Sequence, residues 1–138
     1  MRFVMLMIPK GCARAAPDTV PDEKAVAAMT KYDESLQKAG VLLGLDRLRP
    51  TSMGARVSFS GGKPRVTDGP FAEAREVLGG YWMIQVKSRE EAVAWATRCP
   101  AADGDVIEIR QVFEASDLGP EIEWQDKALL EKNEKRPA

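Results

Sequence analysis

The residues in this chain best suited to chemistry lie in and next to a tight turn, Asp68-Gly69-Pro70-Phe71. The Asp68 carboxylate has two compatible roles. It can accept backbone N–H bonds near Pro70 to Ala72 and so cap the turn, which is ordinary chemistry for an Asp-Gly-Pro sequence. It can also line a cleft, where it would contact a ligand or accept a proton. Asp68 is therefore the candidate catalytic residue, and Gly69, Pro70 and Phe71 are candidate ligand-binding residues.

Two further carboxylates, Glu73 and Glu76, follow the turn. Together with Asp68 they could hold a hard cation such as Mg²⁺ or Ca²⁺. Carboxylates also favour the first turn of a helix, where they meet the positive end of its dipole. Because no spacing here is diagnostic of a metal site, we predict no metal and no cofactor, and we keep Glu73 as a candidate ligand-binding residue.

Glu108 and Arg110 form a second candidate pair, on the last predicted strand. They alternate with Ile107 and Ile109, so they point to the opposite face, where they could enter a cleft beside Tyr81. A charged pair there would be partly buried and would need a partner, which predicts a mutual salt bridge or a dimer contact.

A functional alternative uses the same residues. Arg110 would bind the anionic group of a small ligand through a two-point contact. Phe71 and Met83 would then supply apolar walls to the site.

The chain contains no histidine. This absence excludes Ser-His-Asp triads, Cys-His pairs, His-bearing zinc sites and His-ligated haem. Any acid–base step would have to use Asp68 or a glutamate with a raised pKa. Cys12 and Cys99 do not make a disulfide framework, so we predict one half-exposed thiol near the N-terminus and one small apolar filler at a helix end.

The composition is that of one ordinary globular domain: 138 residues, 44% hydrophobic and 30% charged. A net charge of −1 provides no overall basic field for nucleic acid or anionic lipid. The apolar run Phe3–Ile8 is too short to span a membrane and is typical of a strand. We expect a cytoplasmic protein that binds neither nucleic acid nor membrane.

Apolar periodicity predicts two long helices. The first begins near Pro21 and stops at Gly40, a usual residue just past a helix end. The second begins after a capping box formed by Ser88 and Glu91. Apolar residues at helical spacing give each helix one buried face. These faces are Ala25, Met29, Tyr32 and Leu36 in the first helix, and Ala92, Val93, Ala96 and Cys99 in the second.

Apolar runs and period-two alternation predict six strands. Apolar residues on both faces place the first strand in the middle of a sheet. Gly61-Gly62 forms a hairpin turn, and Pro64 places the returning strand at an edge. The predicted strands are Phe3–Ile8, Val41–Leu45, Ala55–Ser60, Lys63–Thr67, Tyr81–Lys87 and Val106–Phe113.

This order of elements predicts an α+β fold, a ferredoxin-like split βαβ sandwich with an added β-hairpin. We assign residues 1–120 to this domain and residues 121–138 to its C-terminal tail, either frayed or an amphipathic helix over Glu121–Lys135. If both helices cover one face of the sheet, the other face is too apolar for water. A second copy of the chain is the simplest cover, which predicts a homodimer.

The run Val66-Thr67-Asp68-Gly69-Pro70-Phe71-Ala72-Glu73 resembles the signature of the DGPF-domain proteins, the longer branch of the YCII-related family. The resemblance covers most of the chain. Its flanking matches are Ala39–Leu42, Gly80-Tyr81, Glu91–Ala96 with Cys99-Pro100, Ile107–Arg110 and Asp117–Pro120.

The resemblance implies a dimeric α/β barrel of ferredoxin-like subunits, in a family mostly of unknown function. In the shorter YCII-related proteins a His–Asp pair in a cleft has been taken as a candidate active site, and by resemblance Asp68 is the aspartate. That pair cannot be carried over, because the chain has no histidine. Some DGPF proteins are associated with extracytoplasmic-function sigma factors.

Two functional hypotheses follow. In the first, the protein is a dimer that binds a small molecule in a cleft containing Asp68, Phe71, Tyr81 and Arg110, and any enzymatic activity relies on carboxylates. In the second, it is a non-enzymatic regulatory or protein-interaction module, linked to sigma-factor-dependent transcription. A deep cleft around Asp68 would favour the first hypothesis, and a closed turn beside an exposed apolar tail would favour the second.

Overall fold

The computed structural model describes residues 1–10, 22–71 and 77–117. These residues contain both predicted helices and all six predicted strands, with ends shifted by two residues or fewer. In chain order they are β1 (Arg2–Ile8), α1 (Glu23–Lys38), β2 (Leu42–Arg47), β3 (Ala55–Ser60), β4 (Lys63–Asp68), β5 (Gly80–Gln85), α2 (Arg89–Thr97) and β6 (Val106–Gln111). Single 3₁₀ turns cover Thr51–Met53 and Ala115–Asp117.

Four of the strands form one antiparallel sheet in the order β2-β5-β1-β6. β1 pairs with β5 on one edge and with β6 on the other, so the predicted central position of the first strand is confirmed. Because β5 lies between β1 and β2, the β1-α1-β2 unit is split, as in a ferredoxin-like fold. The predicted α+β class is therefore confirmed.

Helix α1 begins where the sequence supplies a cap. The Asp22 carboxylate accepts a hydrogen bond from the Ala25 backbone N–H at 3.3 Å, which satisfies one donor of the first turn. Tyr32 and Leu36 are buried as predicted, but Ala25 is exposed, so the first turn lies outside the core. The helix ends before Gly40, whose φ of 74° lies in the left-handed region that glycine tolerates best.

Helix α2 has the predicted N-cap with one difference. Ser88 Oγ accepts a hydrogen bond from the Glu91 N–H at 3.1 Å, as expected. The Glu91 carboxylate, however, accepts from the Lys87 N–H at 2.9 Å rather than from the N–H of Ser88. Ala92 is buried in the core and Ala96 and Cys99 pack against it, so most of the predicted apolar face packs on the sheet.

The core lies between one face of the four-stranded sheet and the two helices. Alternate residues of β1 and β5 face it, because successive side chains of a strand point to opposite faces. Burying a side chain such as Phe3 or Met5 contributes roughly 1.5–3 kcal/mol. The buried members of this core are Phe3, Met5, Tyr32, Leu36, Trp82, Ile84, Val86 and Ala92.

Trp82 joins the sheet to α1 and β2. Its side chain is 1% exposed, and its indole Nε1–H donates to Asp33 Oδ1 at 2.7 Å. The other carboxylate oxygen of Asp33 accepts a hydrogen bond from Arg47 Nη2 at 2.9 Å. The Arg47 guanidinium lies 5.1 Å from the centre of the Trp82 ring, and the Tyr32 ring meets that ring edge-on at 5.6 Å. Asp33 on α1 therefore accepts hydrogen bonds from both Arg47 of β2 and Trp82 of β5.

Strands β3 and β4 form a separate two-stranded hairpin. Gly61 and Gly62 make its turn with φ values of 58° and 78°, as predicted. Every residue of both strands is exposed. Within the described part of the chain β4 pairs only with β3, as expected from Pro64.

Strand β6 ends earlier than predicted. The predicted strand runs to Phe113, but the observed strand stops at Gln111, and Phe113 is 72% exposed. Three expected features lie outside the described residues. They are the half-exposed thiol of Cys12, the helical turn after Phe71 up to residue 76, and the helix over Glu121–Lys135. Neither of the two described helices is long and apolar enough to cross a membrane.

We predict that Asp33→Ala destabilises the protein by about 1–3 kcal/mol, because it leaves the buried indole N–H of Trp82 without an acceptor. Asp33→Asn should cost less, since its amide oxygen can still accept that bond. Glu34→Ala, at the exposed neighbouring position, is the control and should stay within about 0.5 kcal/mol. Urea unfolding measures all three variants. Equal losses for the alanine and asparagine variants would show that the hydrogen bond is not the source of the effect.

Candidate functional site

The face of the sheet turned away from the helices brings together four predicted site residues. Residues directly opposite in antiparallel strands share a face. The register sets two rows across β5, β1 and β6: Tyr81, Leu6 and Glu108 in one, and Met83, Val4 and Arg110 in the other. Neighbouring strands lie about 4.8 Å apart, so positions on β5 and β6 are about 10 Å from each other. We call this surface the open face; Asp46 and Val106 extend it at its two edges.

Tyr81 is held by a partner that the sequence analysis does not identify. Its hydroxyl donates to Asp46 Oδ2 at 2.6 Å. This hydrogen bond, together with the negative charge of the carboxylate, raises the pKa of Tyr81 above its ordinary value of 10.0. The tyrosine stays neutral and presents an oriented oxygen that can accept a further hydrogen bond. The predicted second strand stops at Leu45, whereas the observed strand continues to Arg47 and so brings Asp46 into register.

Glu108 and Arg110 are both exposed. Neither forms an ion pair with the other or with any other residue that the structure describes, so the mutual salt bridge is not formed and the alternative, a dimer contact, stays a prediction. Residues two apart on a strand are about 7 Å apart, and both side chains extend from the same face. Arg110 lies beside Val4 of β1 with no partner for its guanidinium among the described residues, an arrangement that suits a carboxylate or phosphate.

The Asp68-Gly69-Pro70-Phe71 turn lies at the end of the hairpin rather than in the four-stranded sheet. Gly69 continues the hairpin ladder by donating its N–H to the Gly54 carbonyl at 2.9 Å. A Cβ atom at position 69 would collide with the Thr51 carbonyl oxygen. Only glycine fits there, so one position of the turn is explained by packing alone.

The Asp68 carboxylate is exposed, and it accepts no hydrogen bond from Gly69 or Phe71. Ala72, another donor expected for the cap, lies outside the described residues. Phe71 stacks on the Arg56 guanidinium, whose carbon lies 4.1 Å from the ring centre. The turn is thus anchored to the hairpin through Gly69 and Phe71.

The predicted site residues fall into two groups in the structure. Within the described residues no hydrogen bond, ion pair or ring contact joins one group to the other. Glu73 and Glu76 lie outside the described ranges, as does the cation site expected from them. Residues 1–10, 22–71 and 77–117 contain no cluster of three or more His, Cys, Asp or Glu able to hold a metal ion. The first group is Asp68, Gly69, Pro70 and Phe71 on the hairpin, and the second is Tyr81, Met83, Glu108 and Arg110 on the open face.

Cys99 lies at the end of α2, half-buried, with its Sγ 3.8 Å from the Met29 Sδ. Burial raises the pKa of the Cys99 thiol from 9.0 to about 11. Since the thiolate is the nucleophilic form, this cysteine is a poor nucleophile near neutral pH. Its position agrees with the predicted role of an apolar filler.

A polar groove of about 350 Å³ opens at the Arg2 end of the sheet. Arg2 Nε and Nη2 donate to the two carboxylate oxygens of Glu114 at 2.8 and 2.9 Å. These side chains are 14% and 19% exposed, so the pair is partly shielded from water. The contact ties β1 to the segment that follows β6. The other described residues that line the groove are Met1, Gln85, Gln111, Ser116 and Asp117.

Comparison with known proteins places this fold in a family. The family model of the YCII-related domain matches residues 1–116, which include every helix and strand described above. This chain belongs to the YCII-related family. It is similar to an uncharacterised protein of Rhizobium meliloti (strain 1021), with 36% identity over 75 residues, or 54% of this chain. The match spans 60% of that relative's length. The family expected from the sequence is confirmed, and membership of its DGPF branch stays a prediction.

We predict that both tyrosines have pKa values above the ordinary 10.0 in the folded protein. Burial raises the pKa of Tyr32. The hydrogen bond to Asp46 raises the pKa of Tyr81. Asp46→Asn should move the pKa of Tyr81 down towards 10, because a neutral amide no longer disfavours the phenolate. Ultraviolet absorbance titration measures this, over the pH range in which circular dichroism shows an intact fold.

Two control variants show which phase of the titration belongs to Tyr81. Tyr81→Phe should remove the phase that Asp46→Asn shifts. Glu108→Gln, a neutralised carboxylate in the same row of the open face, should leave that phase in place. A Tyr81 pKa that is unchanged in Asp46→Asn would contradict the assigned hydrogen bond.

Proposed function

We propose that this protein is a small-molecule-binding homodimer whose ligand lies on the open face. One observation carries the proposal: the strand register sets Arg110 beside the apolar residue Val4, in a row that continues to Met83 on β5, and no described residue pairs with its guanidinium. A cation beside apolar surface is suited to an anion that has an apolar body. Tyr81, oriented by Asp46, adds a hydrogen-bond acceptor about 10 Å from the Arg110 strand.

This geometry favours one class of ligand. A carboxylate or phosphate would contact Arg110, and an apolar middle would lie over Val4 and Leu6. A hydroxyl or amine at the far end would donate to the Tyr81 oxygen. Glu108 shares the face and forms no ion pair with a described cation, so it disfavours a second negative group. The proposed ligand is therefore a small, elongated molecule with one anionic end.

A second copy of the chain is proposed as the cover of the open face. Val106 is 50% exposed there, and Val4, Leu6 and Met83 are half-buried. Two such faces packed against each other would enclose the ligand between the sheets, as the resemblance to dimeric α/β barrels implies. Membership of the DGPF branch is part of this proposal, and the Asp68–Phe71 turn supports it.

Any acid–base chemistry at this site is proposed to use carboxylates. The chain has no histidine, and the raised pKa of Cys99 disfavours a thiolate. Asp46 and Glu108 lie on the open face itself. Asp68 would join them only if the hairpin turn closes over the same ligand. Binding is therefore the proposed function, and carboxylate catalysis is the form of activity that these residues support best.

Thermal unfolding with a library of small carboxylates and phosphates tests the ligand site. We expect at least one apolar anion to raise the Tm of the wild type, because a ligand at 100 times its Kd stabilises the folded state by about 2.7 kcal/mol. Arg110→Gln should lose that shift while keeping the wild-type Tm without ligand. Arg89→Gln, at a 73% exposed position on α2, is the matched control and should keep the shift.

The same assay decides the part played by the turn. A ligand that stabilises the wild type and Arg110→Gln equally would refute the open-face site. Loss of the shift in Asp68→Asn would show that the turn also contacts the ligand. If Asp68→Asn keeps the ligand-induced shift in Tm but loses about 1 kcal/mol of stability, Asp68 would be assigned to capping.

Light scattering at micromolar concentration tests the dimer. We expect the wild type to be dimeric and Val106→Asp to be monomeric, because association would bury an unpaired carboxylate. Val26→Asp is the matched control, since Val26 is 46% exposed on α1 and Val106 is 50% exposed on the open face. A monomeric wild type would overturn the dimer, and dissociation by both variants would overturn the assigned interface.

A further inference from the structure

The open face separates its polar groups into two rows of opposite hydrogen-bonding character. Asp46, Tyr81, Leu6 and Glu108 lie side by side in the first row. An ionised carboxylate can only accept hydrogen bonds, and the Tyr81 hydroxyl already donates to Asp46 at 2.6 Å. The polar side chains of this row therefore offer oxygen acceptors to a ligand, and we call it the acceptor row.

The neighbouring row carries one charged side chain, that of Arg110. Gly44, Met83 and Val4 precede it across the sheet, and none of these three side chains can donate a hydrogen bond. The Arg110 guanidinium has five N–H donors and no acceptor. Because residues two apart on a strand are about 7 Å apart, the backbone positions of the two rows are separated by that distance.

Two charges of the open face have no partner among the residues that the structure describes. Glu108 and Arg110 are both exposed, and neither forms an ion pair or a side-chain hydrogen bond there. Asp46 differs, because it accepts the hydrogen bond from the Tyr81 hydroxyl. The face therefore offers one unpaired anion and one unpaired cation to a ligand.

A ligand with an anionic group alone would satisfy only Arg110. Glu108, at a position about 7 Å along the same strand, would stay unpaired and would repel the bound anion. The cost grows if a second copy covers the face, because a carboxylate that is removed from water needs a partner. A ligand that also carries a cation removes this cost.

We propose that the ligand of the open face is a zwitterion, with one carboxylate and one ammonium group several bonds apart. This inference rests on the proposed function and names the ligand class of that same site. The carboxylate contacts Arg110, and the ammonium group pairs with Glu108 and donates to the Tyr81 oxygen. An extended chain of about six bonds spans the roughly 7 Å between the two rows. Every charged side chain of the two rows then has a partner.

Isothermal titration calorimetry of the full-length protein tests the zwitterion with three probes. They are ω-aminohexanoate, ω-hydroxyhexanoate and hexanoate, which differ only at the end far from the carboxylate. The wild type should bind ω-aminohexanoate about tenfold more tightly than the other two, because a hydrogen bond between two charged groups is stronger than one that involves a neutral group.

Three variants assign this preference to residues. Glu108→Gln should lose the preference for the amine and keep the binding of hexanoate. Arg110→Gln should weaken the binding of all three probes. Glu90→Gln, which neutralises a 79% exposed carboxylate on α2, is the matched control and should keep the preference.

The outcomes separate this inference from the proposed function. If hexanoate and ω-aminohexanoate bind the wild type equally and Arg110→Gln weakens both, the zwitterion is overturned and the proposed function stands. A preference for the amine that persists in Glu108→Gln would also overturn it. If the wild type binds none of the three probes, the zwitterion is refuted, and the Tm shifts with the carboxylate and phosphate library then decide whether the proposed function fails with it.

Discussion

Trp82 fills the centre of the core, and its indole N–H has to find an acceptor there, because an unsatisfied buried donor costs about 1–3 kcal/mol. Asp33 supplies that acceptor from α1 and is itself held by Arg47 of β2. The hydrogen bond therefore sets how the helix lies on the sheet. Helices α1 and α2 cover the face that carries Trp82, no described helix covers the opposite face, and the candidate site lies on that opposite face.

The open face is a direct consequence of the core. Burying Trp82 and Ile84 turns Tyr81 and Met83 outward, since side chains alternate along a strand. The same alternation turns Glu108 and Arg110 away from the core side of β6. Candidate site residues and core residues of this protein thus share the same strands, and a shift of register by one residue would exchange them.

Local patterns predicted the elements well, because caps, turns and periodicity depend on neighbouring residues. Gly61-Gly62 and Ser88 act as expected. Contacts that depend on strand order were not predictable in the same way. The pairing of Asp46 with Tyr81 requires β2 to lie beside β5, and the absence of a Glu108–Arg110 salt bridge depends on side-chain conformation rather than spacing. Periodicity also could not show that the Asp68 turn belongs to a separate hairpin.

The central place of β1 has a consequence for synthesis. Val4 pairs with Met83 and with Arg110, so the sheet cannot close until nearly the whole described chain has been made. At roughly 5–20 residues per second, β1 waits on the order of 5–20 s for its last partner. During that time a strand that is apolar on both faces, with both edges free, is open to pairing with other chains. For this fold the hazard of aggregation falls on the nascent chain, well before the finished sheet exists.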